Sequence, residues 1–209
     1  MIKLKLSGTQ SEIQDKINAL CPFASVVVNR VAMDIPYTNS QEVLRYQAAI
    51  LYLLATQYNR PGADILEIGT FHGFTAAVMA HAAPEARLIT LDCNEEHVDI
   101  SRENLASYKN VEVGHSFSQD YPPWNIDMLF IDGDHLNASV VSSDLERWHS
   151  LKPGGLMIVH DVSITSKIKF DVVVDGVLDF MAAHQIGRPD VAVVDGGTRG
   201  MIGFYKREH

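Results

Sequence analysis

The sequence predicts an α/β protein with a doubly wound, mostly parallel sheet of seven strands and an antiparallel strand near the C-terminus. Apolar segments alternate with amphipathic ones from residue 64 onwards, a pattern typical of parallel strands covered by helices on both faces. Glycine and polar residues separate these segments and mark turns. Only a few residues join the last two apolar segments. That length suits an antiparallel pair, because a parallel crossover needs about a dozen residues or more.

The order of the elements follows from the spacing of apolar residues. The predicted strands are DILEIG (64–69), RLITLD (87–92), VEVGHS (111–116), IDMLFID (126–132), GLMIVHD (155–161), DVAVVDG (190–196) and GMIGFYK (200–206). The predicted helices are GFTAAVMAHAA (73–83), EEHVDISRENLASY (95–108), ASVVSSDLERWHSL (138–151) and KFDVVVDGVLDFMAAH (169–184).

The chain divides into an N-terminal segment, residues 1–40, and a main domain, residues 41–209. KLKL in the N-terminal segment alternates like a short strand, and the rest of the segment has no clear period. We expect this segment to act as a lid or as a dimer contact. A helix is predicted to open the main domain near Ser40, because Thr38 and Gln41 have the spacing of a capping box.

Composition excludes several classes of protein. The 209 residues carry a net charge of −9, which disfavours a nucleic-acid partner because phosphate binding relies on Lys and Arg. Cys21 and Cys93 have neither metal-site spacing nor the pattern of a disulfide framework. The N-terminus lacks an apolar signal core, and the most apolar stretch is too short to span a bilayer. We therefore expect a cytoplasmic protein without a membrane partner.

The ends of the predicted strands indicate a binding site. In doubly wound sheets, ligands bind beyond the carboxyl ends of the strands. Five predicted strand ends carry small or acidic residues, and these meet at one edge of the sheet: Glu67 to Gly73, Asp92, Ser116 to Ser118, Asp132 to His135, and His160 with Asp161.

The first strand end is a glycine turn preceded by an acid, Glu67. Gly69 and Gly73 let the backbone approach a ligand closely, but Phe71 stands where a dinucleotide fingerprint has its middle glycine. A bulky residue there disfavours pyrophosphate, and no P-loop pattern is present. The turn therefore favours a ligand without a phosphate group. Asp92, at the next strand end, fits a ribose diol because a carboxylate accepts hydrogen bonds from both hydroxyls.

Four segments carry a resemblance: LEIGTFHGFTAAVMA, LITLDCN, IDMLFIDGDH and LKPGGLMIVHDV. They resemble class I S-adenosylmethionine-dependent methyltransferases, and in particular a small bacterial branch similar to catechol, caffeoyl-CoA and macrocin O-methyltransferases. The resemblance covers the chain from about residue 48 to the C-terminus and implies a Rossmann-like fold with S-adenosylmethionine as cofactor.

The resemblance also assigns cofactor contacts. It implies that the methionine part is held by Glu67, Gly69, Thr70 and Gly73, the ribose by Asp92, and the adenine by Ser116. The alternatives remain open: the glycine turn is a plain strand-to-helix connection, Asp92 caps the following helix, and Ser116 is an ordinary loop hydroxyl.

A divalent metal is implied by the metal-dependent relatives. Matched onto this sequence, Asp132 is the first ligand and Asp161 the second, with Mg²⁺ as the expected ion. Val162 stands where the catechol branch has Asn, and His160 stands where other members have Glu. Asp134 or water would complete the coordination of Mg²⁺, or His160 would favour Mn²⁺, Fe²⁺ or Zn²⁺. The alternative is that Asp132 caps the next helix and Asp161 anchors a loop.

His135 is the candidate general base. It follows Asp132 by three residues, at the position of the catalytic lysine in the catechol and caffeoyl-CoA relatives. Imidazole has an unperturbed pKa near neutrality, where a base is most useful. The alternative is a histidine at a helix start that only contacts backbone.

The expected function is O-methylation of a small-molecule hydroxyl, on a sugar or a phenol, with metal assistance. The acceptor pocket is predicted to involve residues 1–40 and DVSITSKIKFD (161–171), whose hydroxyl side chains suit a polar acceptor. The alternatives are a non-catalytic cofactor-binding or interaction module, a nicotinamide-dependent oxidoreductase and a nucleic-acid methyltransferase. The resemblance to the O-methyltransferases also implies a homodimer.

Overall fold

The computed structural model describes residues 1–35, 45–122, 124–134, 136–162, 171–194 and 200–208. Its helices are α1 (Gln10–Leu20), α2 (Pro22–Asp34), α3 (Arg45–Ala55), α4 (Phe74–Ala82), α5 (Glu95–Leu105), α6 (Ala138–Glu146) and α7 (Asp171–Ala183). Its strands are β1 (Leu4–Ser7), β2 (Asp64–Ile68), β3 (Arg87–Asp92), β4 (Val111–His115), β5 (Ile126–Ile131), β6 (Leu151–His160), β7 (Val191–Val194) and β8 (Met201–Tyr205).

In the described part of the chain, eight strands form one sheet in the order β1-β7-β8-β6-β5-β2-β3-β4. Strands β2 to β6 pair in parallel, and β8 lies antiparallel between β6 and β7. The predicted doubly wound sheet and its antiparallel C-terminal pair are confirmed. The predicted count of seven strands was one too low, because the short N-terminal strand joins the sheet at its edge beside β7.

The N-terminal segment packs into the main body of the protein. Strand β1 pairs with β7 in parallel, with Leu4 opposite Val191. Helix α1 begins with a capping box in which Thr9 and Glu12 satisfy each other's backbone N–H groups. Ile13 and Ile17 of α1 are fully buried in the same core as helices α3 and α4. Residues 1–35 thus form one strand and two helices that share the core of the main domain.

The sheet separates two hydrophobic cores. Successive residues of a strand point to opposite faces, so Ile65 enters one core and Leu66 the other. Helices α1 to α4 cover the first face, and α6 and α7 cover the second. All six residues of β5 are buried, which explains why they are apolar apart from Asp127, whose carboxylate pairs with Arg60 and Lys152. No helix among the described residues is both long enough and apolar enough to cross a membrane.

Several predictions fall outside the described residues. These are the helix start near Ser40 with its capping pair Thr38 and Gln41, the base candidate His135, most of the acceptor segment at 163–170, and the turn at 195–199.

Candidate active site

A cavity of about 590 Å³ opens at the carboxyl ends of β2, β3, β4 and β5. Its volume lies within the usual range for small-molecule sites. Four of the predicted site residues line it: Gly69, Asp92, Ser116 and Asp132. The structure therefore brings four predicted strand ends together around one space, as the rule for doubly wound sheets requires.

The glycine turn passes so close to β5 that it has no room for a side chain. A Cβ atom at Gly69 would lie 2.0 Å from the carbonyl oxygen of Asp132, and its φ of +96° is one that favours glycine. Gly73 starts α4 with a φ of +86°. Phe71 also has a positive φ, +47°, and its ring stacks on the ring of His72 at 3.9 Å. Of this turn, Gly69 and Phe71 line the cavity, whereas Gly73 does not.

Glu67 lies behind the glycine turn. Its side chain is completely buried, and its carboxyl group accepts hydrogen bonds from the hydroxyls of Thr75 at 2.5 Å and Thr90 at 2.6 Å. Burial raises the pKa of Glu67 to about 8, although both hydrogen bonds act to lower it. The Thr70 hydroxyl lies 2.6 Å from that of Thr90, so Thr70 extends the same buried network. Glu67 and Thr70 therefore support the turn from inside the protein.

Asp92 is positioned by the turn that it faces. Its Oδ2 accepts a hydrogen bond from the backbone N–H of Phe71 at 2.9 Å, and its Oδ1 accepts one from the N–H of Asn94 at 2.9 Å. His97 Nδ1 lies 3.5 Å from Oδ2. Asn94 caps helix α5 with its own side chain, so Asp92 does not serve as that cap. The carboxylate of Asp92 is thereby fixed at the cavity wall, beside the glycine turn.

Ser116 follows β4 and lines the same cavity. Its backbone N–H donates to the carbonyl oxygen of Asp92 at 3.0 Å, which ties the two strand ends together. Its hydroxyl donates to the carbonyl oxygen of Phe117 at 2.9 Å. Ser116 is thus held at the end of the cavity formed by β3 and β4.

Asp132, His160 and Asp161 form a cluster at the ends of β5 and β6. His160 Nδ1 lies 2.8 Å from Asp132 Oδ1 and 3.4 Å from Asp161 Oδ1. Its Nε2 lies 3.1 Å from Oε1 of Gln47 on helix α3. His160 and Gln47 are almost completely buried, whereas the side chain of Asp132 is 20% exposed and lines the cavity. Asp132 therefore faces the cavity with a buried histidine behind it.

The cluster has a donor set that fits a divalent metal ion. One ligand atom from each of Asp132, His160 and Asp161 lies within 4.8 Å of the others. Mg²⁺ prefers oxygen ligands, and a set that contains an imidazole fits Mn²⁺, Fe²⁺ or Zn²⁺ better. Asp161 has a positive φ of +58°, a backbone conformation that aspartate adopts more often than most other non-glycine residues. The structure thus places Asp132 and Asp161 in one cluster with His160, and their role as metal ligands stays a prediction.

Asn137, and not Asp132, caps the helix that follows β5. The Asn137 side chain accepts from the N–H of Ser139 at 3.1 Å. The alternative role proposed for Asp132, as the cap of that helix, is thus filled by another residue. His135 lies outside the described residues, and its role as general base stays a prediction.

Sequence reasoning missed a second buried network beside the cavity. Asp144 of α6 accepts a short hydrogen bond from the hydroxyl of Ser118. Arg147 donates short hydrogen bonds to the carbonyl oxygens of Ser118 and Tyr121. These hydrogen bonds of Asp144 and Arg147 fix the segment after β4 that forms one wall of the cavity. The sign in the sequence was an acid, Asp144, placed among the apolar positions of an amphipathic helix.

A model of a methyltransferase domain matches residues 66–162 of this chain. A fatty-acid O-methyltransferase of Mycolicibacterium smegmatis is 29% identical over 132 residues, which are 62% of this chain and 48% of that protein. A protein-L-isoaspartate O-methyltransferase of Methanopyrus kandleri is 35% identical over 107 residues, which are 48% of this chain and 45% of that protein. The matches thus span about half the length of these relatives.

Solved structures resemble the fold over nearly the whole chain. An O-methyltransferase of Bacillus cereus, in complex with S-adenosylhomocysteine, has a TM-score of 0.65 and 22% identity, covering 93% of this chain and 97% of that one. TomG of Streptomyces achromogenes, an O-methyltransferase of tomaymycin synthesis in complex with S-adenosylmethionine, has a TM-score of 0.62 and 24% identity, covering 92% and 98%. Residues 66–162 of this chain thus match a methyltransferase domain, and its sheet has the fold of these solved O-methyltransferases.

Proposed function

We propose that this protein transfers a methyl group from S-adenosylmethionine to a hydroxyl oxygen of a small molecule such as a sugar or a phenol. The observation that carries the proposal is the position of Asp132. It lines the cavity beside the glycine turn, and His160 and Asp161 hold it from behind. An acidic group in that place can serve the acceptor, and Gly69, Asp92 and Ser116 line the part of the same cavity that suits the cofactor.

On the cofactor side, the turn from Gly69 to Gly73 offers backbone, and Asp92 offers a fixed carboxylate. The carboxylate of Asp92 already accepts hydrogen bonds from the N–H groups of Phe71 and Asn94. Little conformational entropy is therefore lost when the ribose hydroxyls bind to it. Ser116, with the wall built by Ser118, surrounds the far end of the cavity, where an adenine ring would lie. The methionine part would then contact the turn itself, with Glu67 and Thr70 holding that turn in shape.

Bound S-adenosylmethionine supplies an electrophilic methyl group on a positively charged sulfur. The protein's contribution is to align an acceptor oxygen with that methyl group, because alignment alone can supply several kcal/mol. A hydroxyl acceptor must also lose its proton. Asp132 is placed to accept or orient this proton at its carboxylate, and His135, three residues later, is proposed as the general base.

A divalent ion held by Asp132, His160 and Asp161 would act as a Lewis acid toward the acceptor oxygen. Without an ion, His160 supports Asp132 through the 2.8 Å contact between Nδ1 and Oδ1, and Asp161 Oδ1 lies 3.4 Å from the same nitrogen. In either state, the buried His160 fixes the direction in which the Asp132 carboxylate faces the cavity. The proposal of metal assistance rests only on the donor set of Asp132, His160 and Asp161.

A carboxylate acceptor is the second candidate. The relatives with the matched sequences are named as a fatty-acid and as isoaspartate O-methyltransferases. A carboxylate is already ionised at neutral pH and needs no base. The acids Asp132 and Asp134 at the cavity would repel such a group, which favours a hydroxyl acceptor.

The remaining expectations stand as proposals. They are a homodimer, a lid or dimer contact formed by residues 1–40, a cytoplasmic location, and no nucleic-acid partner, the last favoured by the net charge of −9. A non-catalytic cofactor-binding module would share the cavity but has no use for the acidic cluster. A nicotinamide-dependent oxidoreductase would need room for a pyrophosphate where Phe71 stands.

The first experiment is calorimetric titration with S-adenosylhomocysteine, with and without EDTA, and with NAD⁺ as the competing ligand. Micromolar binding of S-adenosylhomocysteine alone supports the cofactor assignment, and binding of NAD⁺ instead would overturn it. Acceptors are then compared by release of S-adenosylhomocysteine, using catechols, sugars and fatty acids. Turnover only with fatty acids would replace the hydroxyl proposal by the carboxylate one, and no turnover with any acceptor would favour the non-catalytic module.

A further inference from the structure

A second group of metal-binding side chains lies far from the cavity. Glu146 ends α6, His149 follows in the short 3₁₀ helix Arg147–Ser150, and His184 comes directly after α7. Strand β6 begins at Leu151, directly after this 3₁₀ helix, and ends nine residues later at His160, next to Asp132 of the cavity. The strand bulges between Leu151 and Leu156 and pairs with Ile126 to Ile131 of β5, so at about 3.3 Å for each residue of β5 its two ends are roughly 20 Å apart. The group therefore lies at the amino end of β6, whereas the cavity lies at the carboxyl ends of the parallel strands.

The three side chains converge from two elements. Glu146 Oε2 and His149 Nε2 lie 3.2 Å apart, and the rings of His149 and His184 have centroids 5.4 Å apart. One ligand atom from each residue lies within 4.8 Å of the others. Metal–ligand bonds of about 2.0–2.2 Å place the ligand atoms of a tetrahedral zinc site roughly 3.3 Å apart. Rotation of the exposed Glu146 and His149 side chains is enough to close the remaining gap.

Neighbouring residues hold this arrangement in place. The ring of His184 packs against Phe180 at 4.5 Å and lies 6.2 Å from the ring of Trp148. Lys206 donates to the carbonyl oxygens of Trp148 at 3.2 Å and His149 at 3.1 Å, which fixes the 3₁₀ helix. Two of the three ligands thus start from backbone that is fixed by packing or hydrogen bonds, which lowers the entropy lost when an ion binds.

We propose that Glu146, His149 and His184 form a surface site for a divalent transition-metal ion such as Zn²⁺, Ni²⁺ or Cu²⁺. Two imidazoles and one carboxylate are a usual set for such ions, with water in the open position. Mg²⁺ and Ca²⁺ are disfavoured because they prefer oxygen ligands. The ion would join the end of α6 to the end of α7, two helices that pack on the same core.

The site is tested by NMR with Ni²⁺, read at the indole N–H of Trp148. A paramagnetic ion bound by His184 broadens that resonance because the two rings are 6.2 Å apart. The sequence has two tryptophans, and the second, Trp124, packs on Tyr121 and gives an internal comparison. The titration is run near pH 8, where free imidazole is neutral and binds metal.

Wild type is compared with the His149→Ala and Glu146→Gln variants and with a control, His81→Ala, a histidine that contacts Tyr108 on another part of the protein. We expect selective broadening of Trp148 in wild type and control, reversal by Zn²⁺, and about tenfold more Ni²⁺ for the same effect in both variants. Unchanged S-adenosylhomocysteine binding shows that each variant is folded. Equal Ni²⁺ midpoints in all four proteins, or no broadening of Trp148 in wild type, would overturn the proposal.

Discussion

Asp132 and His160 face each other across the neighbouring strands β5 and β6, with Oδ1 and Nδ1 2.8 Å apart. One partner lines the cavity, and the other is 1% exposed and contacts Gln47 of α3 through its second nitrogen. The pair thus links the cavity wall to the core beneath it. This link fixes the Asp132 carboxylate at the cavity wall.

Replacement of Asp132 by Asn should separate catalysis from cofactor binding. The amide keeps the shape but loses the negative charge that accepts a proton or holds a metal ion. We expect methyl transfer to fall by about 10²–10⁴-fold, the usual loss for a proton-transfer group. S-adenosylhomocysteine affinity, measured by calorimetry, should fall far less. Asp99→Asn on the exposed face of α5 is the control, and full activity of Asp132→Asn would contradict the assigned role.

The opposite result is expected for Asp92→Ala. Its carboxylate is held by the N–H groups of Phe71 and Asn94 and is proposed to bind the ribose hydroxyls. Losing hydrogen bonds to a charged acceptor costs about 1.5–3 kcal/mol, which corresponds to roughly a 10–150-fold weaker binding of S-adenosylhomocysteine. Calorimetry checks this, again beside Asp99→Ala. An unchanged affinity would mean that Asp92 only shapes the glycine turn.

Most of the sheet was predictable because buried parallel strands have continuous apolar sequences that hardly depend on distant contacts. The N-terminal helices were not predictable in the same way. Phe23 and Met33 of α2 are 74% and 80% exposed, so apolar residues there do not mark a single buried face. The edge strand β1 was indicated by KLKL, but its partner, β7, is nearly 190 residues away and cannot be found from local pattern.

In the candidate site, too, local sequence pattern predicted some features, and contacts between distant residues determined the others. The strand ends that line the cavity follow from topology, which is why Gly69, Asp92 and Asp132 were found. The side-chain contacts do not, because they join residues far apart in sequence. Gln47 and His160 are separated by 113 positions, and only the presence of a polar residue on the apolar face of α3 indicated that Gln47 had a partner. The orientation of Glu67 into the core likewise depends on Thr75 of α4.

Glu67 should make the stability of the protein depend on pH. Its pKa is raised from 4.5 to about 8 by burial, so the folded protein keeps a proton that the unfolded chain releases above pH 4.5. The contribution of this group is therefore fully present below about pH 4.5 and is lost as the pH rises to about 8.

The expected slope is a loss of roughly 1.4 kcal/mol in the free energy of unfolding for each pH unit within that range. Urea unfolding of wild type and Glu67→Gln at about pH 5.5 and 7.5 measures the difference. Glutamine cannot titrate, so the variant should lose less stability between the two pH values. Parallel behaviour of both proteins would show that Glu67 is ionised in the folded state.

Gly69→Ala should destabilise the protein because the added Cβ collides with neighbouring backbone. A second variant, Gly62→Ala, separates this collision from backbone strain. A Cβ at Gly69 would lie 2.0 Å from the carbonyl oxygen of Asp132, and the φ of +96° adds backbone strain. Gly62 also has a positive φ, +75°, but a Cβ there meets nothing within 4 Å. Gly62→Ala therefore measures the strain alone, on the order of 1 kcal/mol.

We expect Gly69→Ala to lose about 2–3 kcal/mol more than Gly62→Ala, since backbone on β5 must move to make room. Because the displaced atom belongs to Asp132, the variant should also weaken S-adenosylhomocysteine binding, which Gly62→Ala leaves unchanged. Thermal and urea unfolding measure the first effect, and calorimetry measures the second. Equal losses in the two variants would mean that the protein has room for a Cβ atom at position 69. The close approach of Gly69 to the carbonyl oxygen of Asp132 would then be wrong.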